Sequence, residues 1–205
     1  IRKIYAEQPK IKNDEHPKVL DEIRGEICFD HAGFVMDGQK ILQDINVTVP
    51  AGKTLGIMGA TGSGKSSIVN LLQRFYDVTD GAILLDGYDV RQFARNDLRD
   101  SFGMVLQDTW LYNGTIRENI RYGRLSATDD EVLAAAKAAQ VDHFVRTLPD
   151  GYDTVLNEEA TNISQGQKQL LTIARTIISE PRILIFDEAT SSVDTRTDLR
   201  VPAPS

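Results

Sequence analysis

Gly59-Ala60-Thr61-Gly62-Ser63-Gly64-Lys65-Ser66 sets glycines, a lysine and a hydroxyl at the spacing G-x-x-x-x-G-K-[ST]. Backbone N–H groups of such a loop converge on the phosphate oxygens of a nucleotide, and a helix N-terminus behind them adds partial positive charge. Glycines let the backbone approach the ligand without Cβ clashes. Lys65 is suited to reach the β- and γ-phosphates, and the Ser66 hydroxyl to take one Mg²⁺ position. The alternative is a Gly-rich turn with a chance lysine. The flanks favour the functional reading. Thr54-Leu55-Gly56-Ile57-Met58 is expected to be a short buried strand, and Ser66 to Phe75 an amphipathic helix burying Ile68, Leu71, Leu72 and Phe75.

A second constellation is Ile183-Leu184-Ile185-Phe186-Asp187-Glu188, an apolar strand whose C-terminal end carries two acids. Open α/β sheets place ligand chemistry at such ends. Asp187 is suited to hold Mg²⁺, and Glu188 to orient or deprotonate a water attacking the γ-phosphate. A strand followed by a charged loop is the plainer alternative. Between the two constellations, Asn162-Ile163-Ser164-Gln165-Gly166-Gln167-Lys168-Gln169 opens a helix. Its turn is either a helix cap alone or an anion site. As an anion site it would serve a second molecule, because one phosphate has no need of two complete cradles.

The elements that must position these groups are legible in outline. Residues 1 to about 22 are polar, aperiodic and hold Pro9 and Pro17, which reads as a linker. Strands are expected at 27–29 and 44–49, the latter ending at Pro50-Ala51-Gly52, then at 81–85 before an Asp86-Gly87 turn, and at 102–106. A helix is expected over 128–147, with Thr128 and Glu131 as a capping box and Val132, Leu133, Ala136 and Ala139 at helical spacing. Residues 164–179 repeat the device with Ser164, Gln167 and a stripe of Leu170, Leu171, Ala174, Ile177 and Ile178, stopped by Pro181.

At 205 residues the chain holds one domain, with lobes at most. Its net charge of −7, without a basic run, argues against a nucleic-acid surface. Cys28 is the single cysteine, so an intrachain disulfide is excluded, which suits a reducing compartment. No apolar stretch reaches membrane-spanning length.

Taken in order, these motifs resemble the nucleotide-binding domain of an ATP-binding cassette (ABC) transporter of the exporter branch, over residues 23 to about 198. Besides the loop, Val105-Leu106-Gln107-Asp108 is similar to the family's glutamine loop, and the run from Asp108 to Ile120 to exporter domains. Ile163-Ser164-Gln165-Gly166-Gln167 stands at the family signature, where Ser-Gly-Gly-Gln is commoner. Asp187 to Asp194 is similar to the acidic strand end and the loop after it, and Arg2 to Leu20 resembles the linker following the last membrane helix of half-transporters.

The resemblance implies an α/β fold: a P-loop NTPase (RecA-like) core with an antiparallel β lobe and a helical lobe. The core would carry 54–75 and 183–188, the antiparallel lobe 23–53 and 81–95, the helical lobe about 109–180. It implies ATP and Mg²⁺ as cofactors. Met36, Gly59, Ala60, Thr61, Gly62, Ser63, Gly64, Lys65, Ser66 and Ser67 would bind the nucleotide; Ser66, Gln107 and Asp187 the metal; Glu188, Lys65 and Gln107 would act in catalysis. Ser164, Gly166 and Gln167 would face the nucleotide of a second, head-to-tail copy. The implied partners are that second domain and a transmembrane domain, at the cytoplasmic face of a membrane, with hydrolysis driving export.

Two departures stand out. Met36 occupies the place where the family sets an aromatic under the adenine; Phe34 is a possible substitute, although it is expected to face the core. The family's switch histidine would follow the acidic pair by some thirty residues, yet His16, His31 and His143 all lie upstream. Together with Pro202 and Pro204, this leads to the expectation of a domain incomplete at its C-terminus, with 199–205 an unrelated tail and weak hydrolysis by this form. A non-catalytic ATP-binding module and a soluble ABC-type ATPase uncoupled from transport are the alternatives.

Overall fold

The computed structural model describes residues 11–106, 110–157 and 162–186. Gln107, Asp187, Glu188 and the 199–205 segment lie outside the described residues. The chain divides into two compact units, 1–102 and 103–205.

The first unit is built on hairpins. β1 (Ile27–Met36) and β2 (Gln39–Val49) pair antiparallel across Asp37-Gly38, whose φ angles of 49° and 77° are both positive. Asp-Gly is the pair that such a tight, strand-matching turn favours. β3 (Asp80–Leu85) pairs antiparallel with the other edge of β1, and a second Asp-Gly turn at 86–87 leads to β4 (Tyr88–Asp89). The order is β2-β1-β3-β4. The strands expected at 27–29 and 44–49 are therefore the outer parts of one longer hairpin. Alternation hid its middle, because the register shifts between Phe29 and Ala32, where His31 takes a φ of 48°. A bulge there moves Ala32 and Phe34 onto the buried face that Ile27 and Phe29 start.

α1 (Lys65–Leu72) buries Leu71 and Leu72. It is shorter than the expected 66–75. Arg74 turns left-handed at φ 54° and directs Phe75 outward, where it is 49% exposed beneath the Arg99 guanidinium, 4.4 Å from the ring centre. The expectation of a buried strand over 54–58 fails. These residues are irregular, and Leu55, Ile57 and Met58 are exposed, Met58 at 95%. A short apolar run becomes a strand only where a neighbour takes its N–H and C=O groups. None of the described strands runs beside it. The short α2 (Arg95–Asp100) closes the unit.

β5 (Phe102–Val105), which starts at the last residue of the first unit, pairs with β8 (Ile183–Phe186), and in the second unit β6 (Gly114–Thr115) pairs with β7 (Val155–Leu156). α3 (Ile116–Arg121) and α4 (Asp129–Ala138) pack on α6 (Gln165–Ile178). Their shared core includes Ile116, Ile120, Val132, Ala136, Leu171 and Ala174, all essentially inaccessible. The helix expected over 128–147 is broken in two. Gln140 adopts φ 60°, and α5 (Asp142–Val145) starts afresh. The antiparallel and helical lobes thus appear as expected. Of the expected core, the described residues include the loop with α1 and the pair of β5 with β8, whereas 54–58 is irregular.

Candidate functional site

The loop residues 59–64 end on Gly64, the N-cap of α1, at φ 92°. A Cβ on Gly64 would lie 2.8 Å from Leu42 Cδ2 and 3.3 Å from the Ile41 carbonyl oxygen. Left-handed backbone and absent space both demand glycine there. The consequence is a helix start without a side chain to cap it. No side chain caps the α1 N-terminus, and no acid stands in its first turn. The first bond of the helix runs from the Ile68 N–H to the Gly64 carbonyl at 3.1 Å, so the amides of Lys65, Ser66 and Ser67 precede the ladder. Uncapped amides at a positive helix end form an anion site.

Lys65 adds a full charge at the same place. Its Nζ donates to the Gly59 carbonyl at 2.7 Å and the Ala60 carbonyl at 3.0 Å, which holds the ammonium inside the loop's arc. Ser63 N–H donates to the Ala60 carbonyl at 3.1 Å and tightens the arc. Ala60, Thr61, Gly62 and Ser66 are exposed, whereas Lys65 and Ser67 are half-buried. Uncapped amides, a fixed ammonium and a glycine that no side chain can replace fit a polyphosphate. For a divalent cation the described residues supply the exposed Ser66 hydroxyl; the other expected donors, Asp187 and Gln107, lie outside them.

Met36 is half-buried at the end of β1, paired with Gln39. Phe34, two residues before it, pairs with Leu42, the residue packed under Gly64. The hairpin end carrying Met36 therefore lies on the strand pair that supports the loop, as a base contact requires. Phe34 does not serve as its substitute. It is 4% exposed, and its ring lies against Tyr76 at 5.5 Å.

Ser164, Gly166 and Gln167 stand together at the start of α6, in the second unit. The Ser164 hydroxyl accepts from the Gln167 N–H at 3.2 Å, and the Gln167 side-chain oxygen accepts from the Ser164 N–H at 2.9 Å. This is the capping box that the spacing predicted. A side chain on Gly166 would meet nothing within 4 Å, so that position faces open space. The same box recurs at Thr128/Glu131 and, unforeseen, at Thr115/Glu118. In both, the hydrogen bonds from the capping threonine hold the glutamate pKa below its ordinary value.

Sequence reading passed over two arginines that organise the surroundings. Arg175 donates to the Asn119 carbonyl at 2.9 Å, the Asn119 side-chain oxygen at 2.9 Å and the Trp110 carbonyl at 2.8 Å. Burial pulls its pKa below the usual arginine value. Arg74, 4% exposed, fans its guanidinium over four acceptors. An arginine inside an otherwise apolar helix stripe was the available signal for both.

Residues 42–191 match the family model described as ABC transporter. The chain is 48% identical over 95% of its length to a fatty acid ABC transporter ATP-binding/permease protein of Mycobacterium bovis, covering 31% of that protein. It is 50% identical over 93% of its length to the ABC transporter ATP-binding protein YfiC of Bacillus subtilis, covering 32% of it. Among solved structures, a bacterial Atm1-family ABC exporter with ATP bound superposes with a TM-score of 0.84 at 41% identity, over 95% of this chain and 34% of that one. The chain spans about a third of the length of these relatives.

Proposed function

The chain belongs to the ABC transporter family, and from that premise we propose that it binds Mg²⁺·ATP at residues 59–67 and hydrolyses it to power export across a membrane. The observation that carries the reading is the α1 N-terminus, which lacks a side-chain cap and holds Lys65 within its loop. The first-turn amides orient the phosphates, and Lys65 sets its charge against the β- and γ-oxygens. Met36 lays an apolar, sulfur-bearing surface against the base. Ser66, Asp187 and Gln107 would hold a Mg²⁺ ion, which would offset charge on the phosphates. Glu188 takes a proton from the water whose oxygen bonds to the γ-phosphorus as ADP leaves.

Ser164, Gly166 and Gln167 are assigned to the nucleotide of a second copy placed head to tail. The open space beside Gly166 supports this, because a close approach there meets no side chain of this chain. Relatives named as ATP-binding/permease proteins support attachment to a transmembrane domain and a place at the cytoplasmic membrane face. Among the described residues no helix is long and apolar enough to cross a membrane.

The test is phosphate release by the protein joined to its transmembrane part, native and as Glu188→Gln. Loss of a general base costs about 10²–10⁴ in rate. The variant should retain ATP and accumulate as a nucleotide-bound dimer in sizing chromatography. Unchanged turnover would move the catalytic role away from Glu188.

A further inference from the structure

Residues 11–26 contribute no element to the antiparallel sheet, yet they are fastened to the first unit at three separate places. The Lys12 carbonyl accepts from Arg74 Nη2 at 3.0 Å, and the Asn13 side-chain oxygen accepts from the Arg95 backbone N–H at 3.2 Å. The Lys18 N–H donates to the Gln92 carbonyl at 2.7 Å in a parallel bridge to Phe93, while its ammonium lies 4.0 Å from the Tyr88 ring centre. Finally, the carboxylate of Asp86 accepts from the N–H groups of Arg24 at 2.7 Å, Gly25 at 3.3 Å and Glu26 at 2.8 Å.

The first of these fastenings reaches beyond the surface. Arg74 stands in the turn that ends α1, and its guanidinium is buried, with the side chain 5% exposed. Nε donates to Asp77 at 2.9 Å, and Nη1 to the carbonyls of Arg91 at 3.0 Å and Phe93 at 3.2 Å. One rigid, planar group thus joins residue 12, the end of α1 and the segment 91–93. Arg99 reinforces the same turn through the carbonyls of Gln73 at 3.1 Å and Arg74 at 3.3 Å. The other end of α1 is the open N-terminus of the loop. A helix of this length is a stiff rod of about 12 Å.

We infer that residues 11–18 form a strap whose docking through Arg74 fixes the position of α1, so that displacement of the strap is felt at the nucleotide loop. The strap's sequence carries the means of release. Apart from the Lys18 backbone bridge, the polar and ring contacts that hold it involve one carbonyl, one amide side chain and one cation on a ring, all on exposed or half-buried residues. None of residues 11–18 is itself buried, so undocking withdraws no core side chain of the strap. The inference about the strap and α1 stands on geometry alone; its consequence for the loop rests on the ATP reading.

Hydrogen exchange on the native protein and on Asn13→Ala/Lys18→Ala separates the two. Neither substituted side chain touches α1 or its loop. The amides of Gln73, Arg74 and Phe75, bonded to the carbonyls of Val69, Leu71 and Asn70, report on the end of α1. In the variant, exchange at these three should accelerate about tenfold to a hundredfold along with the backbone amide at position 18, the effect of losing contacts to a charged group. Amides of the β1–β3 pair should keep their rates. Acceleration at Lys18 alone would make the strap a passenger and overturn the inference, as would unchanged rates throughout or uniform acceleration that includes β1. A milder variant, Arg74→Lys, retains the charge but not the fan of donors. It should speed exchange at Lys18 from the other side; an unchanged Lys18 rate would likewise overturn the inference. Added Mg²⁺·ATP should slow exchange at Lys18 in the native protein. If ATP protects neither the 59–67 amides nor Lys18, the nucleotide reading fails while the strap result stands. Protection of the loop without any change at Lys18 would cut the link between strap and loop.

Discussion

The helices α1 and α6 both begin with a small, polar, glycine-containing turn, yet they solve the problem of their first amides in opposite ways. At α6, Ser164 and Gln167 exchange two hydrogen bonds and close the end with the chain's own side chains. At α1 the capping position is Gly64, which has no side chain to give and a conformation that excludes one. A boxed end supports its helix unaided. An uncapped end leaves its donors for a partner, and beside Lys65 that partner is an anion. One turn is closed by its own side chains, with any ligand contact added on top of the cap; the other leaves its first amides uncapped beside a lysine.

Substitutions at the two caps should therefore separate folding from binding. The largest effect is expected for Gly64→Ala. A left-handed backbone and a Cβ 2.8 Å from Leu42 should cost about 1–3 kcal/mol. A fall of several degrees in thermal midpoint, with weakened ATP binding, is expected in a melt with and without nucleotide; an unchanged midpoint would mean that the cap tolerates a side chain. Next is Ser164→Ala, which removes the box at α6 and should cost about 0.5–2 kcal/mol, largely restored by Ser164→Asp. Denaturant unfolding checks it, and a cost absent from Ser164→Ala would show that the box does not hold α6. Thr128→Ala, at a box with no proposed ligand, should match Ser164→Ala in stability, which makes it the control.

The smallest effect concerns His31, an exposed residue at the β1 bulge. Its Nδ1 lies 2.6 Å from Asp44, and that hydrogen bond, with the aspartate's charge, raises its pKa above the ordinary value of 6.5. With the folded pKa raised, the pair's contribution is fully present below pH about 6.5 and fades as pH rises through the folded value. Titration by NMR should find the His31 pKa above the ordinary 6.5 and lower it in Asp44→Asn; an unmoved value would dissolve the pair.

The same contrast marks what the sequence could reveal. Both capping boxes at 128–131 and 164–167 were legible because they are local: two side chains three residues apart complete them. The loop was legible for the same reason. The Thr115/Glu118 box is equally local and went unforeseen, but the expectations that failed depended on distant neighbours. Leu55, Ile57 and Met58 read as a buried strand, but burial and a ladder come from other segments, and here they are exposed. Phe75 continued the helical stripe, and only the left-handed turn at Arg74 put it outside. The packing of Leu42 under Gly64, which explains why glycine is required there, joins residues too far apart in sequence for any spacing rule.

The central claim is that the nucleotide is held at α1 and that α6 keeps its own cap. Calorimetric titration of Mg²⁺·ATP into the native protein, Lys65→Ala and Ser164→Ala tests it most directly. Lys65→Ala removes a charge-assisted contact of about 1.5–3 kcal/mol and should weaken binding about tenfold to a hundredfold. Ser164→Ala should leave the affinity of the single copy where it was. Equal affinity for Lys65→Ala and the native protein, or a loss with Ser164→Ala as large as that with Lys65→Ala, would contradict the account.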